Sequence, residues 1–196
     1  MRILSLFTAM LLALCALVAE AQAADLTQTV LLVAKRNLRD RLYGSTVLIA
    51  KPIGDERHVG FIINKPTNVT LGKLFPKHGP SQKVIDPVYL GGPTGPEVIF
   101  AMVKDAKNPG GRSLQITNGV YLAFDSAVVD RIIETQSQQA RFFAGMVLWA
   151  PSELDEEVRR GLWYVLDPQP ELFLRKSTDN LWEELVGRCE RKANTI

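Results

Sequence analysis

The sequence predicts an α+β domain carrying a largely antiparallel sheet of short strands. Three observations point there. Short β-rich runs recur along the chain, each bounded by Gly, Pro, Asn or Asp. Helical periodicity is clear in only about three places. Those helices do not alternate strictly with the strands, which argues against a doubly wound parallel sheet.

Val30 to Ala34 is a continuous apolar run and reads as a buried strand. Ser45 to Ala50 follows, rich in β-branched residues, and then Val59 to Ile63. Pro52, Gly54 and Asp55 between these two form a turn-rich hairpin connection. Pro66 cannot donate to a ladder, so Asn64-Lys65-Pro66-Thr67 is expected to end the third strand. Thr70 to Phe75 reads as one helical turn capped by Thr70. Residues 76–87 read as a surface loop. Val88 to Leu90 is a strand stopped by Gly91-Gly92-Pro93, and Val98 to Val103 is the next strand.

Asn118-Gly119 between Leu114–Ile116 and Val120–Ala123 is the strongest hairpin signal in the chain. A helix follows, capped by Asp125 or Ser126, with Val128, Val129, Ile132 and Ile133 on one face. Phe142 to Trp149 returns to strand. Ser152 reads as the cap of a second helix with acids crowded in its first turn, ended by Gly161. Trp163 to Leu166 and Leu172 to Leu174 read as short strands. The last helix starts near Asp179, and its apolar stripe includes Leu181, Leu185, Val186 and Cys189.

The chain opens Met1-Arg2, runs apolar from Ile3 to Ala19, and reaches Ala21-Gln22-Ala23. This order of charge, apolar stretch and small-residue site describes a secretory signal peptide over residues 1–23, with a mature start at Ala24. Residues 24–196 then suit a single domain in the periplasm or outside the cell. No later apolar run is long enough to span a bilayer. With Cys15 removed, Cys189 stands alone and no intramolecular disulfide forms. Charge is uneven: residues 24–83 carry ten Lys/Arg against four Asp/Glu, and residues 84–196 carry twelve against sixteen. Such asymmetry marks an anionic partner, head-to-tail association, or a surface whose signs mix on folding.

No catalytic signature stands out. His58 and His78 lie in loops, and with Cys189 they cannot supply the four N/S ligands of a structural zinc site. Glu153, Asp155, Glu156 and Glu157 cluster, a pattern that serves a helix dipole more readily than a metal. Pro93 and Pro96 remove donors from the Gly91–Pro96 loop, so it reads as a structural turn and not a phosphate cradle. Phe142, Phe143, Trp149, Trp163, Tyr164 and Trp182 read as core rather than as a base-stacking surface. No cofactor is implied.

Several stretches together resemble the YqgE/AlgH family of bacterial proteins. They include Leu31-Leu32-Val33-Ala34, Asn37-Leu38-Arg39-Asp40, Val59 to Thr67, Tyr89-Leu90-Gly91-Gly92-Pro93, Gly145 with Trp149-Ala150-Pro151, and Gly161-Leu162-Trp163. The resemblance implies a compact α+β fold with a barrel-like, largely antiparallel sheet and about three flanking helices. It implies no established enzyme activity, and the label its members carry is that of transcriptional regulator. Two departures stand out. Lys65 replaces the family's Arg, and Leu148 and Ser152 replace glycines in the stretch from Gly145 to Leu154.

The expected function is a non-catalytic exported module that binds a protein or small ligand, with no nucleic-acid partner. Its expected surface combines Arg39, the Asn64-Lys65-Pro66 turn, the Gly91-Gly92-Pro93 turn, and Trp149 with Pro151. The alternatives are a cytosolic regulator whose true start lies near Leu26, and a hydrolase with a dispersed site involving Ser152 or His58.

Overall fold

The computed structural model describes residues 25–194, so the expected leader and the expected start at Ala24 lie outside it. Ten strands form one curled sheet: β1 (Val30–Ala34), β2 (Val47–Pro52), β3 (His58–Ile62), β4 (Pro66–Thr70), β5 (Pro87–Leu90), β6 (Thr94–Lys104), β7 (Ser113–Thr117), β8 (Val120–Ala123), β9 (Ala140–Trp149) and β10 (Trp163–Leu166). The order is β10-β1-β2-β3-β9-β6-β8-β7, with β4 and β5 forming a side branch on β9. Every pairing is antiparallel except β5 on β9. Five helices accompany the sheet: α1 (Leu71–Leu74), α2 (Ser126–Thr135), α3 (Glu153–Arg159), α4 (Pro170–Phe173) and α5 (Leu181–Ala193). The half-barrel α+β architecture is the one expected. Among the described residues no helix is long and apolar enough to cross a membrane.

Alternation along the strands sorts side chains to two faces. Leu31, Val33, Val47, Ile49 and Phe61 enter the curl, where Leu172 and Phe173 of α4 and Leu181, Leu185 and Val186 of α5 fill the interior. Leu32, Ala34, Leu48 and Ile62 face outward and are covered by Trp149, Trp163 and Leu154 of α3. The stripe Val128, Val129, Ile132 and Ile133 lays α2 on the outer face of β6, β8 and β9. The Asp125 side chain accepts from the amides of Ala127 and Val128, as a cap should.

Three expectations need correction, and one strand lies beyond them, since the third strand does end before Asn64. Pro66 starts β4, pairing with Tyr89, because a first strand position tolerates the missing donor. Leu172 to Leu174 is not a strand: Pro170 opens the short helix α4, and a short apolar run cannot by periodicity distinguish the two. Neither Thr70 nor Ser152 makes a side-chain cap bond. Within the loop 76–87, Gly79–Lys83 forms a turn of 3₁₀-helix.

The interior also holds a charge. Arg141, on β9, is 1% exposed. Its guanidinium donates to the Phe173 carbonyl at 3.0 Å and the Ile63 carbonyl at 2.5 Å. It stacks 3.8 Å from the Tyr89 ring centroid. Its Nε has no partner among the described residues. Burial pushes its pKa down to about 10, which leaves it charged at neutral pH. Arg141 thereby ties α4 and the end of β3 to the centre of the sheet.

Candidate functional site

Two of the three expected turns come together. The Asn64 amide accepts from Val47 N–H at 2.8 Å and donates to the Ser45 carbonyl at 3.0 Å. Lys65 Nζ donates to the Leu42 carbonyl, and burial lowers its pKa while nearby Asp40 opposes the shift. These side chains hold the loop 35–46 against β3. Arg39 stands exposed on that loop, and Pro66 and Pro93 are exposed beside it. Leu90 N–H reaches the Lys65 carbonyl, and Ile62 N–H reaches the Gly91 carbonyl, so the second turn adjoins the first. A Cβ on Gly91 would lie 2.2 Å from the Gly145 carbonyl oxygen, and one on Gly92 2.2 Å from the Met146 backbone. These glycines let two backbones cross. The third turn lies elsewhere: Trp149 pairs with His58 at the other end of β3, and Pro151 is exposed beyond it.

The loop has a pH signature. Asp40 accepts from the Tyr43 and Leu42 amides, each at 2.8 Å, and these bonds hold its pKa below the ordinary carboxylate value. Their stabilisation is present above about pH 4 and lost as pH falls through the lowered value. Exchange of the Leu42 and Tyr43 amides should therefore accelerate in acid relative to the core, and Asp40→Asn should remove the transition.

Trp149 is buried, and its ring packs so closely on Gly60 that a Cβ there would lie 2.5 Å from it. One Glu157 oxygen accepts both indole N–H groups, from Trp149 at 3.1 Å and Trp163 at 2.8 Å. Glu157→Ala orphans both donors and is expected to cost about 2 kcal/mol or more. Glu157→Gln, which keeps an acceptor, should cost less, with urea midpoints as the readout.

The two residues named for a dispersed hydrolytic site each have a partner within the fold. Ser152 Oγ donates to the Glu56 carboxylate, while His58 Nε2 pairs with the Leu26 carbonyl at 2.9 Å. His78, weighed in the sequence only as a zinc ligand, makes a more suggestive set: Nδ1 pairs with Ser81 Oγ at 2.7 Å and Nε2 lies 3.8 Å from Glu134. Ser81 is 0% exposed, so its hydroxyl cannot meet a substrate in this arrangement. The acidic cluster is internally used: Glu153 accepts from Ala150 N–H and Glu156 pairs with Arg159. No cluster of metal-ligating side chains occurs among the described residues. Cys189 is half-buried rather than fully in the stripe, and burial raises its thiol pKa, which disfavours the thiolate.

The feature that sequence did not suggest is a groove. As the two ends of the sheet order, β7 and β10 each keep one edge unpaired among the described residues, and both border a groove of about 570 Å³. Lys35 N–H bonds the Leu162 carbonyl, so in the β1–β10 register Tyr164 and Leu166 bond inward. Val165 then turns its N–H and C=O outward. Phe124 N–H bonds the Arg112 carbonyl, and by the same alternation Gln115 on β7 also faces outward. The segment before β1 walls one side, where Thr29 Oγ1 donates to the Ile116 carbonyl at 2.7 Å. Asp25, Lys51, Asp167 and Lys192 set charges of both signs around the rim.

The AlgH-like family model (DUF179) matches residues 31–194. The chain belongs to the AlgH-like family. Among AlgH-like relatives, a UPF0301 protein of Bacteroides fragilis is 25% identical over 168 residues, covering 84% of each chain. One from Chlorobaculum tepidum is 25% identical over 159 residues, covering 80% of this chain and 83% of its own. The fold is similar to the solution structure of AlgH from Pseudomonas aeruginosa, with TM-score 0.69 and 16% identity over 84% of this chain and 89% of that one. It is similar too to DIP2367 of Corynebacterium diphtheriae, with TM-score 0.66 and 20% identity over 83% and 86%. At these identities the likeness shows the fold alone.

At one of the two replaced glycines this AlgH-like chain keeps a backbone that glycine would serve. Ser152 sits at φ 62°, a left-handed conformation that favours glycine. Leu148 has no such φ and simply stands 45% exposed on β9 opposite Val59.

Proposed function

We propose that the protein is an exported, non-catalytic binding module that takes an extended peptide segment along the groove between its two open sheet edges. The observation that carries this reading is the convergence of two unpaired edges on one polar groove. Outward N–H and C=O groups at Val165 and Gln115 suit main-chain pairing, the usual mode of strand addition. A closed barrel would have no such edges. The turns at Asn64–Pro66 and Gly91–Pro93 support the scaffold, consistent with their inward bonds.

Peptides selected from a random phage-displayed library on the purified protein test this. Bound peptides should perturb the amides of β7 and β10 in NMR spectra. Val165→Pro removes an outward donor and leaves the β1 pairing intact, so it should abolish their binding with little loss of stability. Peptides that map elsewhere, or that bind Val165→Pro unchanged, would refute the groove assignment.

A further inference from the structure

The charge asymmetry of the sequence does not average out on folding. β1 and β3 both run antiparallel to β2, so their C-terminal ends lie at one pole of the sheet. The loop 35–46 leaves from that pole, and Leu38, Leu42 and Tyr43 pack there with Val158 and Leu162 around Trp163. Arg39 and Arg41 on the loop and Arg160 after α3 are therefore carried on the same end, all exposed. Among the described residues none of the three has an ion-pair partner. Lys35 and Arg36 adjoin them, Arg36 in an exposed pair with Glu190.

The opposite pole carries both signs, with Arg57 among its carboxylates. Asp25, Glu56 and Asp155 border one pocket beside His58. Its carboxylates are mostly occupied from within: Asp25 by Thr27, Glu56 by Ser152 and Glu153 by Ala150 N–H. Three exposed guanidinium groups without ion-pair partners at one pole, facing an opposite pole where Arg57 already sits among the carboxylates, suit an extended external anion. A pole of dispersed guanidinium groups on convex loops, with its apolar side chains folded inward, suits a flat surface. We propose that this basic pole docks the protein electrostatically on an anionic phospholipid surface. Asp25 and Leu26 lie at the other pole, beside His58.

Vesicle co-sedimentation of the native protein purified from cells tests the proposal, with phosphatidylglycerol–phosphatidylcholine vesicles against phosphatidylcholine alone. Binding is expected only to the anionic vesicles, and it should fall steeply with salt. The Arg39→Glu/Arg41→Glu/Arg160→Glu variant should bind at least tenfold more weakly. Lys51→Glu/Arg57→Glu places its charge changes at the opposite end of β2 and β3, and should bind within about twofold of the parent. Absence of anionic-vesicle binding at low salt would overturn the proposal. Equal loss in both variants would also overturn it, as a net-charge effect. So would a low-salt dimer dissolved by the first variant alone in the absence of vesicle binding, which would assign the pole to a second copy.

Discussion

Gly92→Ala is expected to destabilise the protein by about 3 kcal/mol or more, a large share of the stability of a domain this size. A Cβ there would stand 2.2 Å from the Met146 carbonyl carbon and 2.3 Å from its oxygen. Neither can yield, because Met146 belongs to β9, which pairs with both β3 and β6. A Cβ on Gly145 would lie 2.3 Å from the Gly92 carbonyl oxygen, and the residue sits at a φ of +70°, so Gly145→Ala should behave alike. Gly79→Ala is the control: nothing lies within 4 Å of its Cβ, and its urea midpoint should barely move. A Gly92→Ala protein as stable as the parent would mean that the two backbones do not cross this closely.

Arg141→Ala is expected to cost about 4 kcal/mol or more, from a cavity beside Tyr89 and two carbonyls left without donors. Those carbonyls, of Ile63 and Phe173, belong to the end of β3 and to α4. The loss should therefore appear as loosening of α4 in hydrogen exchange as well as a lower midpoint. Arg141→Met refills most of the volume without the donors and should cost less than alanine. Equal costs for the two would show that the hydrogen bonds, not the packing, carry the effect.

Most of the sheet was legible because its strands carry local signals. Asn118-Gly119 fixes a hairpin by itself, with Gly119 at φ +71°. Asp125 and the stripe Val128–Ile133 fix α2 in the same way. The misreadings fall where tertiary context decides. Pro66 could begin a strand only because Tyr89 was there to pair with it. Leu172 and Phe173 read as strand from hydrophobicity, yet a helical turn was needed to plug the curl. The expected binding surface was legible as turns but not as a surface. Asn64 and Lys65 spend their polar groups on the neighbouring loop, and Trp149 turns inward to Glu157. The groove had no sequence signal at all, because an unpaired edge is a property of strand order. Nor does a local run reveal that Arg160 joins Arg39 and Arg41, more than a hundred residues apart, at one pole.

The functional reading rests on a chain that leaves the cytosol, and the N-terminal segment bears on this. Leu26 is buried and its carbonyl is held by His58, so a start at Leu26 would force a charged amino group against the core. The measurement that tests the account most directly is the intact mass of the native protein from fractionated cells. A chain beginning at Ala24 in the periplasmic fraction is the predicted result. A cytosolic chain, whether it begins at Met1 or near Leu26, would contradict it and return the regulator reading to first place.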